Sequence, residues 1–393
     1  MALNFLPSLQ HIAAVKVALA VYYDDIIHSF NEFILADEFD QIGSFHISQS
    51  REERVKQRRK EMRRQLSPLL PKALVDQVVN ILQPIVDELY FWVRDYICVI
   101  KNIQKSHIAN NLCWKSEGTI DRIKTSRQLV RNESIDKRVR FVLACIHFWE
   151  QDVLQLWRSM TSKERGKISR IDSNFAVGFW MKWLKKNAVS PWTQYFPEYL
   201  NLASLEPIII FDYKHKNSRI RLSSFFAELN RYYKNFFLDG FWPKHAHIDD
   251  LFHCYYLTAE TDRPVVFPLN TKAKHVLCVY IDWPLQSHLF EVLNKMWDQL
   301  TPNCFEHLLR YIVNQKLSHS MEDFDYLKLL KDLWNRIPDD VKEYIKGKTT
   351  YLFVEPLLSY DENTSPLSLE ETLQGCRDSI RVAYAGFGFN FQY

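Results

Sequence analysis

At 393 residues the chain is long enough to bury one large core and more readily two. Apolar residues at 47% and charged residues at 25% exclude wholesale disorder, and a net charge of +3 is too small to argue for a nucleic-acid partner. Aromatics reach 14% while glycines number only 9, which favours long helices packed on flat side chains and leaves little material for phosphate-cradling loops.

In chain order, Leu6 to Leu35 carries apolar residues at Leu9, Ile12, Ala13, Val17, Ala20 and Val21, a helical spacing. Arg51 to Arg64 holds eight basic and three acidic residues. Glu52, Glu53 and Glu61 lie one turn from basic neighbours and no aromatics alternate with them, so this run reads as a solvated helix face. Ala73 to Ile103 resumes helical periodicity with a kink expected at Pro84, and residues 104–136 read as a polar loop or domain edge.

One strong helix is predicted over Val139–Met160, burying Phe141, Cys145, Phe148, Trp149, Leu156 and Trp157. Another runs from Phe175 to Lys186 with Phe179, Trp180 and Trp183 inside, and Pro191 and Pro197 end this half of the chain. Three short runs read as strands: Pro207–Phe211, Pro264–Phe267 and His275–Ile281. Helices are expected again at His288–Leu300, Cys304–Leu317 and Phe324–Arg336, with Asp339-Asp340 opening a short one to Lys346. An aromatic stretch, Tyr351–Val354, and a polar one, Asp361–Ser365, lead to the C-terminal segment. The expected fold is mainly α, in packed helical subdomains with a minor β element. Its divisions are an N-terminal helical region over 1–200, an α-rich region with short strands over 201–350, and a C-terminal segment over 351–393. No repeat of fixed period stands out, although the helix pairs are compatible with a degenerate solenoid.

Seven scattered cysteines without a CxxC indicate a reduced compartment. The N-terminus lacks a basic leader, Lys16 interrupts its apolar stretch, and no uncharged run is long enough to span a bilayer. The expectation is a soluble cytoplasmic or nuclear protein with no cofactor.

The segment from Leu369 to Arg381 carries the clearest functional signal. On a helix, Leu369, Leu373, Cys376 and Ile380 share one face, extended by Ala383 and Tyr384 and flanked by Arg377 and Arg381. Such a stripe suits helix-in-groove docking, with a small apolar cysteine permitting close approach and guanidinium groups reaching rim carboxylates. With Pro366-Leu367-Ser368 before it and Cys376-Arg377-x-x-Ile380-Arg381 within it, this segment resembles a SOCS box, over about the last 30 residues. The Leu330-x-x-Leu333-Trp334-x-x-Ile337-Pro338 run is similar to the lead-in of some arthropod members.

The resemblance implies docking on elongin C, with elongin B and through them a cullin. The protein would be a non-enzymatic substrate adaptor of a ubiquitin ligase, contacting its partner through Leu369, Leu373, Cys376, Arg377, Ile380 and Arg381. The sequence departs from the family in two ways. The spacing from Leu373 to Cys376 is one residue short with Thr372 where leucine is expected, and Arg381–Tyr393 holds no cullin-selecting Leu-Pro element. Ser8-Leu9 through Ala13 to Val17 fits the box spacing fully at the opposite end of the chain.

Two other readings compete with the adaptor. One is a helical interaction scaffold with no ubiquitin link, in which the C-terminal helix closes its own core. The other is a metal-dependent enzyme at His245, His247 and His253, with Asp249, Asp250 and Cys254 nearby. Gly347-Lys348-Thr349 is no P-loop, since Lys342 replaces its first glycine, and the sequons at Asn132 and Asn363 carry little meaning inside a cell.

Overall fold

A computed structural model of the chain describes residues 7–22, 49–168, 175–186, 190–202, 221–241, 248–258 and 269–385. The protein is mainly α-helical, and the described residues contain one isolated antiparallel bridge, Trp114 to Ile120, in place of any sheet. The strand runs at 207–211 and 264–267 lie outside the described residues. The third, His275–Ile281, is helical as far as Val279, and Tyr280 and Ile281 form the turn that follows. Within it Leu277, Cys278 and Val279 are buried in succession, an apolar run in which the period that separates helix from strand is lost.

The first helix, α1, covers 9–22, and α2 (Gln49–Leu66) carries the basic run. That run is more than a solvated face: Arg59 is only 5% exposed and pairs with Glu322 at 3.2 Å, while Arg63 reaches both Asp76 and Glu322. The stretch expected as one kinked helix is three, the first two being α3 (Lys72–Asn80) and α4 (Leu82–Asp95). Pro84 falls in the first turn of α4, where its missing N–H breaks no intrahelical bond. A single turn, α5 (Ile97–Ile100), follows.

The stretch 104–136, expected as a loop, contains α6 (Lys105–Asn111) and α7 (Arg122–Arg131). Asp121 caps α7, its carboxylate accepting from the Lys124 amide at 2.8 Å. The single helix expected over Val139–Met160 is broken into α8 (Lys137–Ile146) and α9 (Glu150–Ser159). The break is the corner His147-Phe148-Trp149, where Phe148 takes a left-handed φ of 52°, a conformation unusual for a bulky residue. A capping box on Thr161 and Glu164 opens α10 (Ser162–Arg165), and α11 (Phe175–Lys185) and α12 (Trp192–Leu202) follow. Pro197 lies inside α12 and does not end it. Beyond it stand α13 (Arg231–Phe241), α14 (Ile248–Leu257), α15 (Leu269–Val279) and α16 (Leu289–Met296).

The remaining helices are α17 (Pro302–Tyr311), α18 (Tyr326–Arg336), α19 (Asp339–Lys346), α20 (Tyr351–Leu358) and α21 (Leu369–Ala385). After α17 the chain widens into a π turn over Ile312–Leu317, seen in the bond from the Ser318 amide to the Val313 carbonyl. The turn holds Lys316 inside the protein, 2.6 Å from Asp282 and over the Tyr326 ring.

The chain divides into two compact units. One comprises Met1–Val21, Gly43–Ile85 and Pro268–Gln392, the other Tyr22–Ile42, Val86–Phe267 and Tyr393. Within each, helices pack chiefly on near neighbours in sequence. In the first unit α15 meets α16 and α17, α17 meets α18 and α19, and α20 meets α18 and α21. In the second, α7 meets α6 and α8, and α8 meets α9 and α11.

The second unit has an aromatic centre. The Phe148 ring lies 4.7 Å from Phe225, 5.4 Å from Trp192 and 5.5 Å from Trp180, so the strained corner drives one ring into the middle of the cluster. On either side of Phe148, the His147 ring is stacked between Tyr96 and Trp149, and the Arg127 guanidinium covers the outer face of Trp149 at 3.6 Å. Burial, aided by the nearby Arg221 charge, holds His147 down to about 3, so it is neutral at ordinary pH.

Candidate functional site

The C-terminal helix forms where the sequence places it. Ser368 caps it, its hydroxyl accepting from the Glu371 amide at 3.3 Å while the Glu371 carboxylate accepts from the Ser368 amide at 2.8 Å. These bonds hold the Glu371 carboxyl below its usual range. From this start the helix phase follows, and Leu373 and Cys376 fall on one face, as the spacing requires.

That face is turned into the chain's own first unit. Leu373 is 4% exposed and Cys376 2%, on a helix that packs against α20. The Cys376 thiol donates to the Phe353 carbonyl at 3.3 Å, and burial pushes it up to about 11. It is therefore a packed small apolar group and a poor nucleophile. Leu369 and Ile380 at the ends of the stripe are half-buried. The side chains of Arg381, Ala383 and Tyr384 lie outside the described residues.

Arg377 fixes the helix from its flank. Its Nε donates to the Ser318 carbonyl at 2.9 Å and its Nη2 to the Ser320 hydroxyl at 3.3 Å, at the end of the π turn. A second nitrogen, Nη1, donates to Gln374 at 3.1 Å and lies 3.5 Å from Glu370. The guanidinium expected to reach a partner's rim carboxylates is thus spent on the unit itself. Gly375, on the outer side, has nothing within 4 Å of where a Cβ would stand. Gly375→Ala is therefore expected to stabilise the protein by about 0.5–1 kcal/mol, read as a higher urea midpoint at unchanged slope.

The other box-like run stands differently. In α1, Leu9 is 85% exposed and Ala13 is exposed, while Ala14, Val15 and Ala18 on the opposite face are buried. Of the two stretches with box character, the one at Ser8–Val17 keeps its leading leucine in solvent.

The metal-like cluster is divided. His245 and His247 lie outside the described residues. Asp249 and Asp250 both face Arg221, at 3.5 and 3.6 Å, and Asp250 also accepts from the Ser223 amide and hydroxyl and the Leu222 amide. Nδ1 of the exposed His253 lies 2.6 Å from the Asp249 carbonyl, and Cys254 is buried with its thiol pushed well up. Among the described residues no three His, Cys, Asp or Glu side chains gather around a point that could hold a metal. None of the described helices is long and apolar enough to cross a membrane, and the described cysteines 113, 145, 254, 278, 304 and 376 are unbridged.

Sequence reasoning missed the second unit's buried ionic centre. Arg122, 3% exposed, donates from Nη1 to Glu88 at 2.6 Å and from Nε to Asp95 at 3.2 Å. Glu88 also accepts from the Ile120 amide at 2.8 Å. The three residues come from α4 and α7, and nothing in their local sequence announces the pairing. No family model, curated protein or solved structure matches the chain.

Proposed function

We propose that the chain is a non-catalytic helical scaffold that acts by binding other proteins, with α21 as the closing helix of its own unit. The observation that carries this reading is the inward stripe of Leu373 and Cys376, clamped by Arg377. A helix seated in this way contributes to the fold, and docking through it requires that the seat be vacated. Binding is supported over chemistry by the packing of helices on their sequence neighbours, the build of repeat proteins used for recognition. Exposed anchors such as Tyr232 and Tyr256 add to it, since aromatic residues dominate protein interfaces.

A second reading keeps the elongin adaptor and moves its contact to α1, where Leu9 and Ala13 face solvent at box spacing. Co-expression with elongins B and C, followed by size-exclusion chromatography, separates the two. Three chains are compared: full length, full length with Leu9→Asp, and one ending at Ser365. The scaffold reading expects no co-elution from any of them, and a lowered melting midpoint for the shortened chain alone. Co-elution lost only on Leu9→Asp establishes the α1 adaptor. Co-elution lost only on shortening returns the contact to Leu369–Arg381 and overturns the closing-helix role.

A further inference from the structure

Three segments of the chain make the same turn with the same residues. They are Leu156-Trp157-x-x-Met160-Thr161 through Ile168, Met296-Trp297-x-x-Leu300-Thr301 through Leu308, and Leu333-Trp334-x-x-Ile337-Pro338 through Ile345. Each begins with a buried aliphatic, preceded three residues earlier by another that is fully buried: Val153, Leu293 and Leu330. Each has its tryptophan half-buried, and each ends on a fully buried Ile or Leu seven residues beyond the Thr or Pro.

The backbone agrees at the corner itself, although the helix that follows is a single turn with a capping box in the first copy and longer, without a side-chain cap bond, in the other two. The residue three after the tryptophan is extended in all three, with φ and ψ of −89° and 142° at Met160, −85° and 131° at Leu300, and −65° and 133° at Ile337; Met160 and Ile337 follow the α-helix directly, and Leu300 follows a 3-10 turn over Trp297–Gln299. In each case its amide bonds back to the tryptophan carbonyl, at 3.3, 3.1 and 3.2 Å. The next residue caps the following helix from an extended conformation, with ψ of 161°, 160° and 150° at Thr161, Thr301 and Pro338. Its carbonyl accepts from the amide four residues on, that of Arg165, Phe305 or Lys342. The same column supplies a cover for two of the indoles: Arg165 lies over Trp157 at 4.6 Å and Phe305 against Trp297 at 5.3 Å.

Independent helix–helix turns do not require a tryptophan, an extended apolar cap and a buried aliphatic at one shared spacing. We infer that these three corners are copies of one helix-corner-helix unit, two of them standing in tandem in the first compact unit and one in the second. Trp297 and Trp334 stand about one repeat length apart on the scale of such arrays, roughly 34–47 residues. The run Leu330–Pro338, which resembles a SOCS-box lead-in, is on this account the third copy of an internal corner.

Equivalent positions in true copies accept one another's residues, and proline makes the sharpest probe. The third copy holds Pro338 where the second holds Thr301. Thr301, with a φ of −92°, needs a turn of about 10–30° to reach the value proline fixes, and Leu300 before it is already extended, as a residue preceding proline must be. In the full-length protein, Thr301→Pro and Pro338→Thr are each expected to keep one cooperative melt within a few degrees of the parent. Leu300→Pro, one residue away, deletes the amide bond to Trp297 and is expected to abolish the cooperative transition. Hydrogen exchange supplies a check on the parent chain, with the amides of Met160, Leu300 and Ile337 all protected. If Thr301→Pro is as damaging as Leu300→Pro, or if one of the three amides exchanges at the open-chain rate, the corners are not equivalent and the repeat is refuted.

Discussion

Arg122→Met is expected to be among the most damaging single changes in the second unit, costing about 3–5 kcal/mol at pH 7. The guanidinium is the common partner of Glu88 and Asp95, and Asp95 is itself buried. Both charges raise the Arg122 pKa further above the ordinary arginine value despite the opposing effect of burial, so the cation cannot be given up. Removing it takes from both carboxylates the cation they share, and Glu88 keeps only uncharged help such as the Ile120 amide. A buried carboxyl group that has lost its cation is better tolerated neutral than charged. With that sign, the penalty is full at neutral pH and shrinks as the pH falls toward 4. Urea unfolding at pH 7 and pH 4.5 measures the gap, and partial recovery in Arg122→Met/Asp95→Asn assigns it to the acids. A deficit that does not change with pH, and is not relieved by Asp95→Asn, would mean that lost packing is responsible.

The helices that the sequence discloses are those whose burial is apolar and one-sided. In α11 the large residues Phe179, Trp180 and Trp183 are all inside, and α18 keeps Leu329, Leu330 and Leu333 on one face. By contrast, the inner face of α7 is Arg122, Thr125 and Ser126 beside Leu129 and Val130, which reads as loop until Glu88 and Asp95 are known to lie opposite. The break between α8 and α9 is equally hidden. It contains neither glycine nor proline, and Phe148 accepts a left-handed conformation because its ring gains an aromatic cluster drawn from distant α11 and α12. For α15 the fault lies in the consecutive buried residues Leu277, Cys278 and Val279, an apolar run without the polar interruptions on which periodicity depends.

The C-terminal stripe was legible as a stripe, since i, i+4 and i+7 spacing fixes which side chains share a face. What that face meets depends on α20 and on the π turn ending near Ser318, which no spacing rule places beside it. An apolar helical stripe says that something covers it and leaves open whether the cover is the chain itself or another molecule.

Leu373→Ala distinguishes those covers through stability. Leu373 is buried against its own unit, so losing its side chain removes transfer energy and leaves a cavity, together worth about 2–5 kcal/mol. Were the stripe a docking surface held open to solvent, the same change would fall within about 0.5 kcal/mol, as surface substitutions do. Cys376→Asp is expected to act in the same direction, because it sets an unpaired carboxylate beside the Phe353 carbonyl that now accepts from the thiol. Leu9→Asp serves as the internal standard, since that leucine is solvated and its replacement should leave the urea midpoint in place. A midpoint that drops for Leu373→Ala and Cys376→Asp but holds for Leu9→Asp establishes α21 as part of the core. It would also mean that loss of partner binding in those two variants is no evidence for a docking helix, because the unit that presents the helix is itself weakened. The exposed α1 position is then the one at which a binding defect can be read without that ambiguity.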